Sequence, residues 1–331
     1  MRAGEPNSGR IVTLTANPSL DRTITLGGAL RPGEVQAAAS AREDAGGKGI
    51  NVARVIAAAG IDAVAVLPLA GDDPFAVVLR ASGVVARPVE VEGHVRANVT
   101  ITDPAGITTK LNLPGAALSP RDASALITAV VAASEGAAWL VLAGSLPPGA
   151  DDRFYVDVIQ AVRQRWGTDA PRVAVDTSGA ALRAVVDEAA PDLIKPNDEE
   201  LAELAGVALG NGTDLAAAVL RVARALVPSR VAAALITLGA EGAVLVTADG
   251  AWQATPPPIR VVSTVGAGDS ALAGYLIADV DGYLLSDAAG DDPADRLRRA
   301  VRYGAAAASL PGTQAAAPDD LPPGAVVVRT L

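Results

Sequence analysis

"WLVLAGSLPPGADDRFYVDVIQAVRQRWGTDAPRVAVDTSGAALRAVVDEAAPDLIKPN", residues 139–197, holds three short apolar runs that end in turn residues, with two longer stretches between them. "WLVLAG", "RVAVDT" and "DLIKPN" read as strands entering loops, whereas "DRFYVDVIQAVRQRW" and "SGAALRAVVDEA" read as helices. Such alternation predicts βαβ units and a mainly parallel sheet. The same rhythm extends outward from "RIVTLTANP" at residue 10 to "RVAAALITLGAEGAVLV" ending at residue 246, with further helices at "NVARVIAAAG", "RDASALITAVVAAS" and "NDEELAELAGV". An all-helical, alanine-rich bundle fails on these regularly spaced valine-rich strands.

Two segments break the rhythm. Residues 22–45 and 94–113 alternate in the β manner around the turn signals "GG", "PG" and "DPAG", with no helix inside either. They are expected to pair as a small antiparallel sheet, a lid over one end of a single domain spanning residues 1–331. "DVDGYLLSDAAGDDPAD", 279–295, reads as a loop inserted between two helices, and the tail after "SLPGTQAAAPDDLPPG" as surface chain with a last short strand.

Composition narrows the function. Half of the 331 residues are hydrophobic but only 3% are aromatic, which suits small side chains packing helices on a sheet. A net charge of −10 without any basic block speaks against nucleic acid or an anionic membrane surface as partner. There is no cysteine and a single histidine, His94, so thiolate chemistry and a histidine metal cluster are excluded. The N-terminal residues lack the apolar core of a signal peptide, and no apolar run approaches the ~18 residues of a membrane span. A soluble, cytoplasmic protein is expected.

Three of the 27 basic residues are lysines, Lys48, Lys110 and Lys195, and the rest are arginines. A lysine kept in such a chain suggests a site that wants a compact three-donor charge on a thin stem. Lys48 lies in "AGGKGINVAR", residues 45–54, a glycine turn feeding a helix with neither Walker A nor GxGxxG spacing. With Asn51 one helical step on, it would hold an anionic or polyhydroxylated ligand. Lys195 lies in "IKPNDEEL", residues 194–201, where Asn197 and Glu200 form either a helix-capping pair or a sparse site for hydrated Mg²⁺, two readings that can hold together.

"STVGAGDSALAGY", residues 263–275, poses the sharpest alternative. Asp269 is either a helix cap or a proton acceptor. Backbone N–H groups of a glycine turn opening a helix make an anion cradle, and a carboxylate beside one serves phosphoryl transfer by taking the acceptor's proton.

In this order, "TLTANPSLD", "GGKGINVAR", "LAGSLPPG", "DTSGAAL", "IKPNDEEL", "TLGAEGA" and "VGAGDSALAGY" resemble the ribokinase-like (PfkB-type) carbohydrate kinases, hexose-phosphate branch. The resemblance implies a three-layer α/β/α domain with a β lid, ATP with Mg²⁺ as donor, and a homodimer through the lid. It implies Asp269 as catalytic base with Gly266, Ala267 and Gly268 as anion hole. Asp21, Gly46, Gly47, Lys48 and Asn51 would bind the sugar, with Ser145 near it and Arg96 and Asn98 on its phosphate. Lys195, Asn197, Thr237, Gly239 and Gly242 would lie on the nucleotide side, and Glu200 would order Mg²⁺. The implied reaction is phosphorylation of a ketohexose monophosphate, with fructose 1-phosphate favoured over fructose 6-phosphate and tagatose 6-phosphate. A non-catalytic sensor on the same fold is the alternative of a different class. Two departures bear on substrate choice: "GEVQAAAS" puts Ala37 and Ala38 where relatives carry a basic residue, and "NLPG" puts Leu113 where an acid is usual.

Overall fold

The computed structural model of the protein describes residues 9–209, 214–285 and 292–331. Along the chain run β1 (Ile11–Leu14), β2 (Ser19–Leu26), β3 (Ala38–Gly46), α1 (Lys48–Ala58), β4 (Ala63–Pro68), α2 (Phe75–Ala81), β5 (Val85–Val89), β6 (Arg96–Thr102) and β7 (Thr108–Asn112). There follow α3 (Pro120–Ala133), β8 (Trp139–Ala143), α4 (Phe154–Trp166), β9 (Arg172–Asp176), α5 (Gly179–Glu188), β10 (Leu193–Ile194), α6 (Asp198–Ala205) and α7 (Leu215–Arg224). The chain ends with β11 (Ala233–Thr237), β12 (Ala243–Thr247), β13 (Ala251–Thr255), α8 (Ala267–Leu285), α9 (Pro293–Ala308) and β14 (Val327–Thr330).

Ten strands make one sheet in the order β14-β13-β12-β11-β10-β9-β8-β1-β4-β5. From β5 to β11 every neighbouring pair is parallel, and β12, β13 and β14 add antiparallel strands at one edge. Because a strand turns successive side chains to opposite faces, Trp139, Val141 and Ala143 of β8 join one core while Leu140 and Leu142 join the other. The first core is closed by α1, α2, α8 and α9, the second by α3 to α7. Burial on both faces explains why these strands are continuous apolar runs. The expected three-layer α/β/α fold is what forms. Among the described residues no helix is long and apolar enough to cross a membrane.

The remaining four strands form a separate small sheet in the order β3-β2-β6-β7. Its outer pairs are antiparallel as expected, but β2 and β6 are parallel in the centre. Each follows a parallel strand of the main sheet, β1 or β5, and leaves the same sheet end in the same direction. Two strands that run on from the same sheet end in the same direction pair parallel.

The stretch 279–295 is also corrected. α8 continues to Leu285 and α9 begins at Pro293, while residues 286–291 lie outside the described residues. Turn-like composition misleads here because the acids have partners: Asp279 bonds the Trp139 indole and Asp281 pairs with Arg299.

α8 and α9 pack closely enough that a Cβ on Gly274 would meet the Arg299 carbonyl oxygen at 2.7 Å. Gly274→Ala gains roughly 1 kcal/mol of helix propensity, but the methyl has to push backbone aside. We expect a net loss of about 1–3 kcal/mol, read by urea unfolding. A more stable variant would contradict this packing.

Candidate active site

The parallel strands deliver their polar residues at their C-terminal ends, where ligands bind in open α/β sheets. Asp176 closes β9, Lys195 follows β10, Thr237 closes β11, and Ser145 lies two residues beyond β8. Asp176 is completely buried. The Lys48 ammonium, at the start of α1, donates to its Oδ1 at 2.8 Å, and Lys195 Nζ lies 3.1 Å from its Oδ2. Burial works to raise the Asp176 pKa, but the two ammonium groups outweigh it and hold the carboxyl below the usual range. Lys48 stays charged: burial works to lower its pKa, while Asp176, then Asp269 and Glu200, raise it well beyond an ordinary lysine.

Asp269 is the third residue of α8 rather than its cap. Its carboxylate accepts from Asn51 Nδ2 at 2.8 Å, a bond that joins α8 to α1. Burial, then the neighbouring Asp176, push its pKa up to about 6, against the pull of Asn51, Lys195 and Lys48. The N–H of Ala267 reaches the Thr264 carbonyl at 3.4 Å, while those of Gly268 and Asp269 meet no acceptor among the described residues. Gly266 leads into this turn, and a Cβ on Gly268 would lie 3.2 Å from Lys195 Nζ. The helix start thus sets two orphan donors and an ammonium beside one protonatable carboxylate.

A second cluster sits where the small sheet meets the main one. Register pairs Ser19 with Arg96 and Asp21 with Asn98. Ser19 Oγ and Asn98 Nδ2 donate to Asp21 Oδ1 at 2.8 and 2.9 Å. Burial is the larger influence on the Asp21 carboxyl and raises its pKa. The same carboxylate fills the place of a side chain on Gly46, since a Cβ there would lie 2.2 Å from Asp21 Oδ2; Gly47 follows as the residue before α1. Asn17 Nδ2 lies 3.4 Å from Ser145 Oγ. Asn17 and Arg96 also line an open cleft of about 580 Å³, walled further by residues 112–115 and 146–150. Across the two clusters three buried polar atoms, Asn51 Oδ1, Asn98 Oδ1 and Arg96 Nε, have no partner among the described residues. Buried acceptors and donors left open in this way fit a polyhydroxylated, anionic ligand.

Asn197 and Glu200 form the capping box of α6: Glu200 N–H donates to Asn197 Oδ1 at 2.7 Å, and Asn197 N–H to Glu200 Oε2 at 2.9 Å. A lone backbone bridge ties Asn197 to Thr237, and Gly239 and Gly242 bound the turn after β11. The structure therefore divides the expected residues. Lys48 and Lys195, assigned to different ligands from sequence, share Asp176, whereas Arg96 and Asn98 gather at Asp21. Sequence reasoning gave no role to Asp176 or Asn17, although both lie in quoted stretches. An acid ending a buried apolar strand, or an amide in the loop just after one, was the available signal.

A family model described as pfkB family carbohydrate kinase matches residues 15–320. The 1-phosphofructokinase of Rhodobacter capsulatus is 38% identical over 301 residues, covering 89% of this chain and 90% of that protein. The 1-phosphofructokinase of Escherichia coli (strain K12) is 36% identical over 277 residues, covering 81% and 84%. The crystal structure of phosphofructokinase-2 from Escherichia coli in complex with substrates and products superposes with a TM-score of 0.82 at 31% identity, covering 94% of this chain and 97% of that one.

The Asp269 environment has a measurable stability signature. With a pKa of about 6 against an ordinary 3.8, the folded chain keeps a proton between those values that the unfolded chain has released. The contribution of Asp269 is thus fully present below pH 3.8, falls as pH rises through 6, and is absent above. Asp269→Asn keeps an oxygen for Asn51 and removes the charge. It should be more stable than the parent at pH 7.5 by roughly 1–3 kcal/mol, with the gain vanishing towards pH 4 in urea titrations. An equal difference at both pH values would contradict the buried-carboxylate account.

Proposed function

The chain belongs to the pfkB family of carbohydrate kinases, and on that footing we propose that it transfers the terminal phosphoryl group of ATP to the 6-hydroxyl of fructose 1-phosphate, giving fructose 1,6-bisphosphate and ADP. The observation that carries this reading is Asp269: a buried carboxylate, pKa about 6, beside two unpaired N–H groups and two lysines. Asp269 takes the proton of the attacking hydroxyl as its oxygen bonds to phosphorus and the bond to ADP breaks. A base with a pKa just below the working pH is mostly ionised yet still accepts a proton well. The N–H groups of Gly268 and Asp269, with Lys195, stabilise negative charge on the transferring group. Asn51 orients the base, and Asp176 keeps Lys48 charged and holds both lysines in place.

The sugar lies along Asp21, Gly46, Ser145 and Asn98, whose open Oδ1 suits a hydroxyl rather than the phosphate expected of it, and the existing phosphate lies near Arg96 and the cleft beside it. Leu113 lines that cleft in place of the acid usual at its position, which favours a dianion there. The nucleotide takes the side of Lys195, Asn197, Thr237, Gly239 and Gly242. Mg²⁺, when bound with the nucleotide, would supply charge neutralisation on the phosphates. Glu200 would hold it through water, a sparse arrangement natural to Mg²⁺, and the Glu200 field already reaches Lys48. The small sheet acts as the lid, and exposed Ile107, Leu111 and Leu113 support pairing of two copies through it.

A coupled ADP-release assay tests the reaction. Asp269→Asn should lower kcat by about 10²-fold or more, and the parent's kcat should decline below pH 6 as Asp269 takes up a proton. Turnover near the parent's would remove Asp269 as base, and no ADP release with any phosphosugar would favour a sensor.

The same assay tests the substrate. Fructose 1-phosphate should give a higher kcat/KM than fructose 6-phosphate or tagatose 6-phosphate. Arg96→Ala should damage that reaction far more than the residual one with fructose, because binding energy at the remote phosphate also aligns the reacting hydroxyl. A different order of sugars would change the named substrate, and equal damage to both reactions would remove Arg96 as anchor.

A further inference from the structure

α8 brings Asp269 to the site, where Asn51 bonds it, but along the rest of the helix apolar contacts do little to set how far along the sheet it lies. From Ala271 to Val280 nearly every residue is buried and all but Asp279 lack a charge. Apolar burial is non-directional and rewards neighbouring axial settings almost equally, whereas a charged, hydrogen-bonded anchor rewards one. Gly274 and Gly304 fit α8 closely to α9, so these two helices form a unit. The charged, hydrogen-bonded tie from that unit to β8 and β9 is Asp279.

Asp279 is 3% exposed. Its Oδ2 accepts from the Trp139 indole N–H at 2.8 Å and from Arg172 Nη2, its Oδ1 accepts from Arg172 Nη1 at 3.0 Å, and Arg296 Nε lies 3.1 Å from Oδ1. The Arg172 guanidinium stacks 4.4 Å from the centre of the Trp139 ring. Trp139 and Arg172 are the first residues of β8 and β9. β9 then runs towards the site and ends at Asp176, while α8 runs away from the site, starting beside Asp269. Four strand steps from Arg172 to Asp176 cover about 13 Å, and ten helical steps from Asp269 to Asp279 about 15 Å. Two rails of nearly equal length are pinned together at the far end.

We propose that Asp279 is a positioning residue: its clamp on Trp139 and Arg172 sets α8 along β8 and β9, and so places Asp269 beside Asp176, Lys48 and Lys195. This rests on the reading of Asp269 as the base. The groups facing Asp269 come from separate elements, Lys48 and Asn51 from α1, Asp176 from β9, and Lys195 from the end of β10. A slip of α8 changes all of those distances at once. A displacement of about 1 Å is enough to cost ~10²-fold in rate.

The test uses the full chain with Asp279→Leu, the milder Trp139→Phe and Asp279→Asn, and Asp269→Asn in parallel, with kcat expressed per folded molecule by near-ultraviolet circular dichroism. Asp279→Leu should lower kcat about tenfold or more and Trp139→Phe about threefold, with KM for both substrates little changed. Asp279→Asn, which still accepts from Trp139, should recover part of the loss. The acid limb of kcat should move by about half a pH unit or more. A purely structural role would lower thermal stability while kcat per folded molecule and the acid limb stayed at the parent's values, and that result overturns the proposal. Should Asp279→Leu not fold, the same comparison on Trp139→Phe and Asp279→Asn decides. Loss of turnover in Asp269→Asn beside unchanged Asp279 variants removes the clamp alone, whereas turnover retained in Asp269→Asn removes the base on which it rests.

Discussion

Asp176 carries its charge with no exposure to water, a state that is tolerable only because Lys48 and Lys195 reach it from two other elements. Taking an ion out of water costs several kcal/mol, and removal of a partner from such a pair leaves an uncompensated charge. The start of α1, the end of β9 and the end of β10 are therefore bound to one carboxylate. The constraint is also electrostatic. Two ammonium groups are gathered on one acid, and the same acid helps keep the nearby Asp269 protonatable near pH 6.

The main sheet makes this convergence affordable. Parallel strands buried on both faces end side by side, so polar residues far apart in the chain arrive at one edge without long loops. Lys48 and Asp176 are separated by 128 positions, and Asn51 and Asp269 by 218. Two glycines let the arrangement close: Gly46 leaves room for the Asp21 carboxylate, and Gly268 leaves room for the Lys195 ammonium. A methyl on Gly46 would displace the carboxylate itself, and one on Gly268 would press the ammonium back by a few tenths of an ångström.

Local and distant demands coincide at several of these residues. Asn197 and Glu200 complete a capping box, and Glu200 still projects its charge onto Lys48. Asp269 shows the opposite case. An aspartate near a helix start is ordinarily a cap, but here the third helical position turns its carboxylate to Asn51 on another helix. Position within the first turn, one or two residues either way, separates a local contact from one made across the fold.

Periodicity and turn chemistry in the sequence were enough for the α/β class, the main strands and helices of residues 139–205, and the glycine turns at Gly47 and Gly266, because these depend on neighbours in the chain. The scarcity of lysine singled out Lys48, Lys110 and Lys195 for the same reason of residue type; Lys110 lies exposed on the edge strand β7, whereas Lys48 and Lys195 meet at Asp176. Their common partner was not legible. Asp176 looks like any acid at a strand end until the fold brings three elements onto it, and its burial is a property of the packed layers. The parallel pairing of β2 with β6 and the helical state of residues 279–285 escaped similarly, since one follows from where two excursions leave the sheet and the other from partners at Trp139, Arg172 and Arg299. Residue type and spacing decide what a segment can do; which charges share a buried space is decided only when distant segments meet.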